Sequence, residues 1–216
     1  MELSRQHLNA AATAAYSRAA ALDDDSPPER CAAACRERNE TIDAEFAAKK
    51  ATGAAIACEP ACSFCCHLRV DVFRHEAMAL VHHLRTRASP RDAAAIERRI
   101  RANAQVIDGL TVEQHRAAGL RCAFLIDGRC SAHEVRPSAC AVYHSLSRQR
   151  CEQSYCQPRG IGTAANARPA LLELQTFGSA LIEATRAGLE EAGLAAEQAE
   201  LHQSLRALID SPATGV

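Results

Sequence analysis

Four cysteines fall within nine residues of this chain: Cys58, Cys62, Cys65 and Cys66, in the stretch A-C-E-P-A-C-S-F-C-C-H-L from Ala57 to Leu68. A second group follows at Cys122, Cys130 and Cys140, with Cys151 and Cys156 just beyond. Thiolates are soft, strong ligands for zinc, copper(I) and iron–sulfur clusters, so the chemistry these residues offer first is metal ligation. One tetrahedral ion takes four thiolates, and the set Cys58, Cys62, Cys65, Cys66, Cys122, Cys130 and Cys140 has seven. That surplus fits a binuclear arrangement, or one cluster with spare thiols around it. Adjacent side chains diverge, so Cys65 and Cys66 are not expected to face one ion from the same side.

Spacing rejects the two simplest labels. Cys58 to Cys62 is C-x3-C and Cys62 to Cys65 is C-x2-C, which is neither a pair of zinc knuckles nor the bacterial ferredoxin run. A thiol redox enzyme is weaker, because C-x-x-C at 62–65 lacks the strand–helix setting that activates a first thiol. His67, His133 and His144 lie near ligand cysteines and offer ligation, proton transfer or hydrogen bonding; Glu134 reads as a surface carboxylate. No H-E-x-x-H or paired-carboxylate motif accompanies them, so whether the chain is an enzyme stays open.

The cysteine blocks, together with C-A-F-L, D-G-R-C, H-E-V-R-P and C-A-V-Y, resemble the YkgJ-like or CxxCxxCC cysteine-cluster family of zinc- or iron-chelating proteins. The family pattern falls on Cys58, Cys62, Cys65 and Cys66, then on Cys122, Phe124, Leu125, Gly128, Cys130, Arg136, Pro137, Cys140 and Tyr143. The resemblance covers about residues 57–145 and implies metal binding. Some relatives look like iron–sulfur flagellin lysine methylases, but no glycine-rich nucleotide loop here argues for a methyl donor. Arg136 and Tyr143 are candidates to act on the bound group from behind the ligands: a guanidinium offsets thiolate charge and a phenol donates a hydrogen bond. The alternative for Arg136 is a surface side chain beside a structural turn.

Composition frames these residues in helices. Alanine is abundant, tryptophan is absent, and 25 Lys and Arg stand against 26 Asp and Glu, so no strong field draws nucleic acid or an anionic membrane. Residues 3–21 read as an alanine-rich helix. A second helix is expected from about Pro28 to Lys50, with Cys31 and Cys35 on one face, as core thiols or as an extra ligand pair. Val70–Phe73 leads into a third helix containing His82 and His83. Ser89-Pro90-Arg91-Asp92 starts a fourth, in which Asn103 interrupts the apolar stripe and needs a partner. Thr111–Gln114 repeats the capping pattern. Cys122–Ile126 is the best strand, and Asp127-Gly128 turns it towards Cys130. Arg136-Pro137 opens a helical turn expected to carry Cys140, Tyr143 and His144 on one face. A loop over 158–166 precedes a helix from about Pro169, and Gly193 separates that from a last helix, the two packing as an antiparallel pair.

The fold class expected is therefore mainly α: a small helical protein around an irregular cysteine-rich metal-binding core, with one short β-hairpin. Its parts are N-terminal helices (1–56), a cysteine-cluster domain (57–160) and a C-terminal helical pair (161–216). No signal-like stretch opens the sequence and no apolar run is long enough to span a bilayer, so the cytoplasm is the expected compartment. Eleven cysteines in a reducing compartment argue for metal rather than disulfides. An iron–sulfur cluster with a redox or accessory role is preferred to Zn2+. A structural zinc module for a protein partner, and a metal-dependent enzyme or carrier, are the alternatives.

Overall fold

The computed structural model describes residues 5–156 and 169–211, the side chain of Cys156 excepted. The expected loop over 158–166, the end of the tail, and the proposed ligand role of Cys156 lie outside the described residues. The protein is mainly α. Its helices are α1 (Arg5–Ala20), α2 (Pro28–Ala51), α3 (Arg74–Arg87), α4 (Pro90–Ile107), α5 (Val112–Ala118), α6 (Ser138–Ala141), α7 (Arg148–Cys156), α8 (Leu172–Glu191) and α9 (Leu201–Asp210). Among the described residues there are also two antiparallel pairs of two-residue strands: β1 (Asp71–Val72) with β4 (Ala199–Glu200), and β2 (Leu125–Ile126) with β3 (Arg129–Cys130).

Local chemistry sets most of the boundaries. Pro28 begins α2, where its missing N–H costs nothing. The Ser89 hydroxyl accepts from the Asp92 N–H at 3.1 Å and Pro90 fills the first helical position of α4. Thr111 and Gln114 form a reciprocal capping box, and α5 ends at Gly119 in the left-handed region, φ 60°. Asp127 and Gly128 both have positive φ (46° and 76°), the conformation that lets a two-residue turn match the twist of β2 and β3.

Side-chain size decides the closest helix contact. Ala11, Ala15 and Ala19 recur at four-residue intervals on α1 and are all buried. They face α8, the main partner of α1. A Cβ built at Gly188 of α8 would lie 2.4 Å from the carbonyl oxygen of Tyr16 and 2.8 Å from Cβ of Ala19. The alanine-rich composition of α1 is thus the complement of a glycine on its partner. A smaller core around Ile42, Phe177 and Leu181 lies beside this seam.

The main core draws on every part of the chain, from Ala19 and Leu22 through Phe73, Leu80, Leu84, Ile96 and Ile100 to Phe124, Leu189, Leu201 and Leu205. Cys31 and Cys35 belong to it, 2 % and 0 % exposed, which decides between the two readings of that pair in favour of packing. Burial pushes their thiols up, Cys31 to about 11 and Cys35 to about 12.

The C-terminal helices depart from expectation. They do not pack chiefly on each other: α8 lies along α1, whereas α9 packs on α4 and α3, and β4, at its start, pairs with β1. Segment 194–200 is not helical up to Leu201, so α9 begins later than the leucine spacing suggests. The apolar stripes were real, with Leu174, Phe177, Leu181 and Leu205 fully buried, but α1 took that of α8, and α4 and α3 took that of α9.

Candidate metal centre

The first cysteine block is irregular backbone apart from a 3-10 turn over Phe64–His67. Ala61 takes a positive φ of 67°, in a bend where the Cys62 N–H donates to the Glu59 carbonyl at 3.0 Å. Two backbone hydrogen bonds dock the block on the second one: the Ala57 N–H donates to the Ser145 carbonyl and the Cys122 N–H to the Cys66 carbonyl, each at 2.8 Å. The β2–β3 hairpin then sets Cys130 opposite Leu125, and α6 carries Cys140.

Electrostatic influence among the thiols maps which of them are neighbours. Burial lifts Cys58 above its ordinary value, a backbone bond with Ser145 opposes this, and Cys65, Cys62 and Cys151 add to it. Burial pushes Cys122 up to about 12, with Cys130 and Cys65 contributing. Burial likewise raises Cys130, Arg136 opposes it, and Cys65 adds to it. Cys140 is raised well above the usual thiol range, by burial first and then by Cys122, Cys65 and Cys130. Cys58 is thus influenced by Cys65, Cys62 and Cys151, and Cys140 by Cys122, Cys65 and Cys130. Cys65 is felt by both. Cys66, its neighbour, holds Cys122 through the main chain.

These donors fit zinc or iron by type, since thiolates suit both. Among the described residues, no three or more His, Cys, Asp or Glu side chains are grouped so as to hold a metal ion. The ten cysteines with described side chains are all free thiols.

The flanking residues sort clearly. Arg136 is not a surface side chain: it is 7 % exposed, donates to the His133 carbonyl at 2.8 Å, and is ion-paired with Asp43. Its charge reaches Cys130. Tyr143 is half-buried but does not share a helical face with Cys140, because α6 ends at Ala141. His144 also leaves the helix. It is fully buried, its Nδ1 lies 3.1 Å from the Val142 carbonyl, and its Nε2 accepts from the Leu171 N–H at 3.0 Å. With both nitrogens engaged it anchors the start of α8 and is not placed to ligate. His67 has Nδ1 3.2 Å from the Ser63 carbonyl. The exposed His133 has Nδ1 3.2 Å from Arg136 Nη1. Glu134 is exposed and pairs with His83, whose other nitrogen lies 2.9 Å from the Ser131 carbonyl. Helix α7 covers the first block: Tyr155 packs on His67 and Phe64 with ring centroids 4.6 and 5.8 Å away, and the Arg148 guanidinium lies over Phe64.

Sequence reasoning missed the group behind Cys140. Glu76 is wholly buried; its Oε1 accepts from Arg38 Nη1 at 2.6 Å and from the Ser138 N–H at 2.7 Å. Burial opposes ionisation of Glu76, but Arg38, His75 and the Ser138 and Phe73 N–H groups outweigh it and hold the carboxyl below its ordinary value. A signal existed. Arg38 continues the apolar stripe of Cys31, Cys35 and Ile42, and a charge on a buried face must find a counter-charge.

The two cysteine blocks are thus docked on each other through the main chain. Residues 57–157 match the model of the CxxCxxCC family, described as a "putative zinc- or iron-chelating domain", and this stretch is similar to that domain. The match continues past the sequence resemblance to include Cys151 and Cys156. No curated protein and no solved structure gives a significant match.

Proposed function

We propose that the thiol shell holds an iron–sulfur cluster and that the protein serves a redox or accessory role in the cytoplasm. The observation that carries this reading is the number of free thiols that the two docked blocks bring, more than the four one ion needs. Zinc–thiolate bonds of about 2.3 Å draw four sulfurs tightly together, whereas cluster ligands bind separate irons and stand further apart. Cys58, Cys62, Cys65, Cys66, Cys122, Cys130, Cys140 and Cys151 are the residues available to hold the group. When bound, a cluster would supply one-electron transfer. Arg136 would offset thiolate charge beside Cys130, and Phe64, Phe124 and the α7 cover would limit water. No described helix is long and apolar enough to cross a membrane.

The test is metal and acid-labile sulfide analysis of protein purified without oxygen, with an absorption spectrum. Iron and sulfide in stoichiometric amounts with broad visible absorption are expected. Colourless protein with stoichiometric zinc and no sulfide would replace the cluster with a structural zinc site. Absence of either metal from fresh and reconstituted protein would sink metal binding altogether.

A further inference from the structure

The cysteine-bearing turns are held from behind by two buried carboxylate networks whose outer members come from helices outside residues 57–157. The first is centred on Glu76. Beyond its bonds to Arg38 and the Ser138 N–H, its Oε2 accepts from the Phe73 N–H at 3.1 Å. Arg38 Nη2 donates to the Arg136 carbonyl at 2.9 Å, and Asn39 Nδ2 donates to the Glu134 and Arg136 carbonyls at 3.0 and 2.9 Å. The backbone from Glu134 to Ser138 is therefore gripped at three points, immediately before Cys140. The second network brackets Cys122. His202 Nδ1 lies 3.1 Å from Glu200 Oε1, and its Nε2 lies 3.3 Å from the Ala123 N and 3.1 Å from Asn103 Nδ2. A peptide N–H can only donate, so Nε2 is the acceptor and Nδ1 carries the proton towards Glu200. Asn103 Nδ2 also donates to the Arg121 carbonyl at 2.8 Å, which secures the other side of Cys122.

Helix caps alone do not explain this expense of polar groups. Glu76, Arg38, Asn39, Glu200 and His202 are all buried, and a buried charge is retained at a cost unless its geometry is useful. We infer that Glu76 and the Glu200–His202 pair are positioning residues, which hold the main chain beside Cys140 and Cys122 in the conformation that aims these thiols at the shell. This inference rests on the metal-binding reading. It assigns α2 and α9 a part in building the site, where they would otherwise only cover the core.

The test uses the full chain and two variants, Glu76→Gln and His202→Gln, each examined first without metal by site-resolved alkylation and mass spectrometry. Faster labelling of Cys140 is expected in Glu76→Gln and of Cys122 in His202→Gln, with the core thiols Cys31 and Cys35 as slow as in the parent. Cobalt(II), as a spectroscopic stand-in for the native metal, should then be retained roughly 10–100-fold less well by each variant against a chelator, with altered ligand-field bands. If Glu76→Gln unfolds, all cysteines including Cys31 and Cys35 label together, and His202→Gln decides the matter. Native-like variants that label Cys140 and Cys122 at parental rates would overturn the inference. A parent chain that takes up neither cobalt(II) nor, on reconstitution, iron and sulfide would overturn the metal-binding reading instead, and the alkylation result would still judge the clamps.

Discussion

His75 shows how a single buried side chain sets the acid sensitivity of the fold. It is 7 % exposed, stacks on Phe73, and its Nδ1 has no hydrogen-bond partner. Burial lowers its pKa from 6.5 to about 4, against the pull of Glu76. Between those values the unfolded chain takes up a proton that the folded chain refuses. Stability from this group is complete above the unfolded pKa and is lost as pH falls towards the folded one. Denaturant unfolding should therefore show a loss of about 2 kcal/mol between about pH 7 and about pH 5, and His75→Phe should flatten that slope. The thiols work at the other end of the scale. Cys58, Cys122, Cys130 and Cys140 are raised, mainly by burial, so they carry protons near neutral pH and must release them to bind metal. Affinity should rise with pH through neutrality, and calorimetry in buffers of different ionisation enthalpy should count several protons released. A binding curve independent of pH would contradict these directions.

Among the elements, the α1–α8 seam is the most demanding. Any Cβ at Gly188 meets the Tyr16 carbonyl oxygen at 2.4 Å, and backbone cannot swing aside as a side chain can. Gly188→Ala should part the two helices and cost roughly 1–3 kcal/mol in thermal or denaturant unfolding. Gly109 is the control: the nearest atom to its added Cβ is 3.7 Å away, an ordinary contact, and Gly109→Ala should leave stability unchanged. The elements also show where sequence is a good guide. Ser89, Thr111 and Asp127-Gly128 act on atoms two or three residues away, so α4, α5 and the β2–β3 turn were legible in advance. The helix expected beyond Cys140 was not, because His144 is drawn into the core between Phe46 and the start of α8.

Across the whole molecule, the apolar core is far larger than the contribution the ligand cysteines make to it. Phe73, Leu80, Leu84, Ile96, Ile100 and Leu205 bury together, and of the proposed ligands Cys122 and Cys130 pack against them. Small zinc-dependent domains unfold when stripped of metal because they have no such core. Here chelation should remove metal while helical circular dichroism persists; collapse of helicity on chelation would show that the shell, not the core, holds the fold.

Taken alone, the sequence determined the donor chemistry, the mainly helical class, the hairpin and most helix starts, since each depends on residue type or on neighbours a few positions apart. It also marked which faces are apolar. Tertiary structure decided what those faces meet: α8 with α1, α9 with α3 and α4, and Asp71 opposite Glu200. It decided too that the Cys122 N–H meets the Cys66 carbonyl, and that Arg38 finds Glu76. Such contacts join residues far apart in the chain, and they are settled by competition among surfaces of similar hydrophobicity, in which shape and the pairing of buried charge choose the winner.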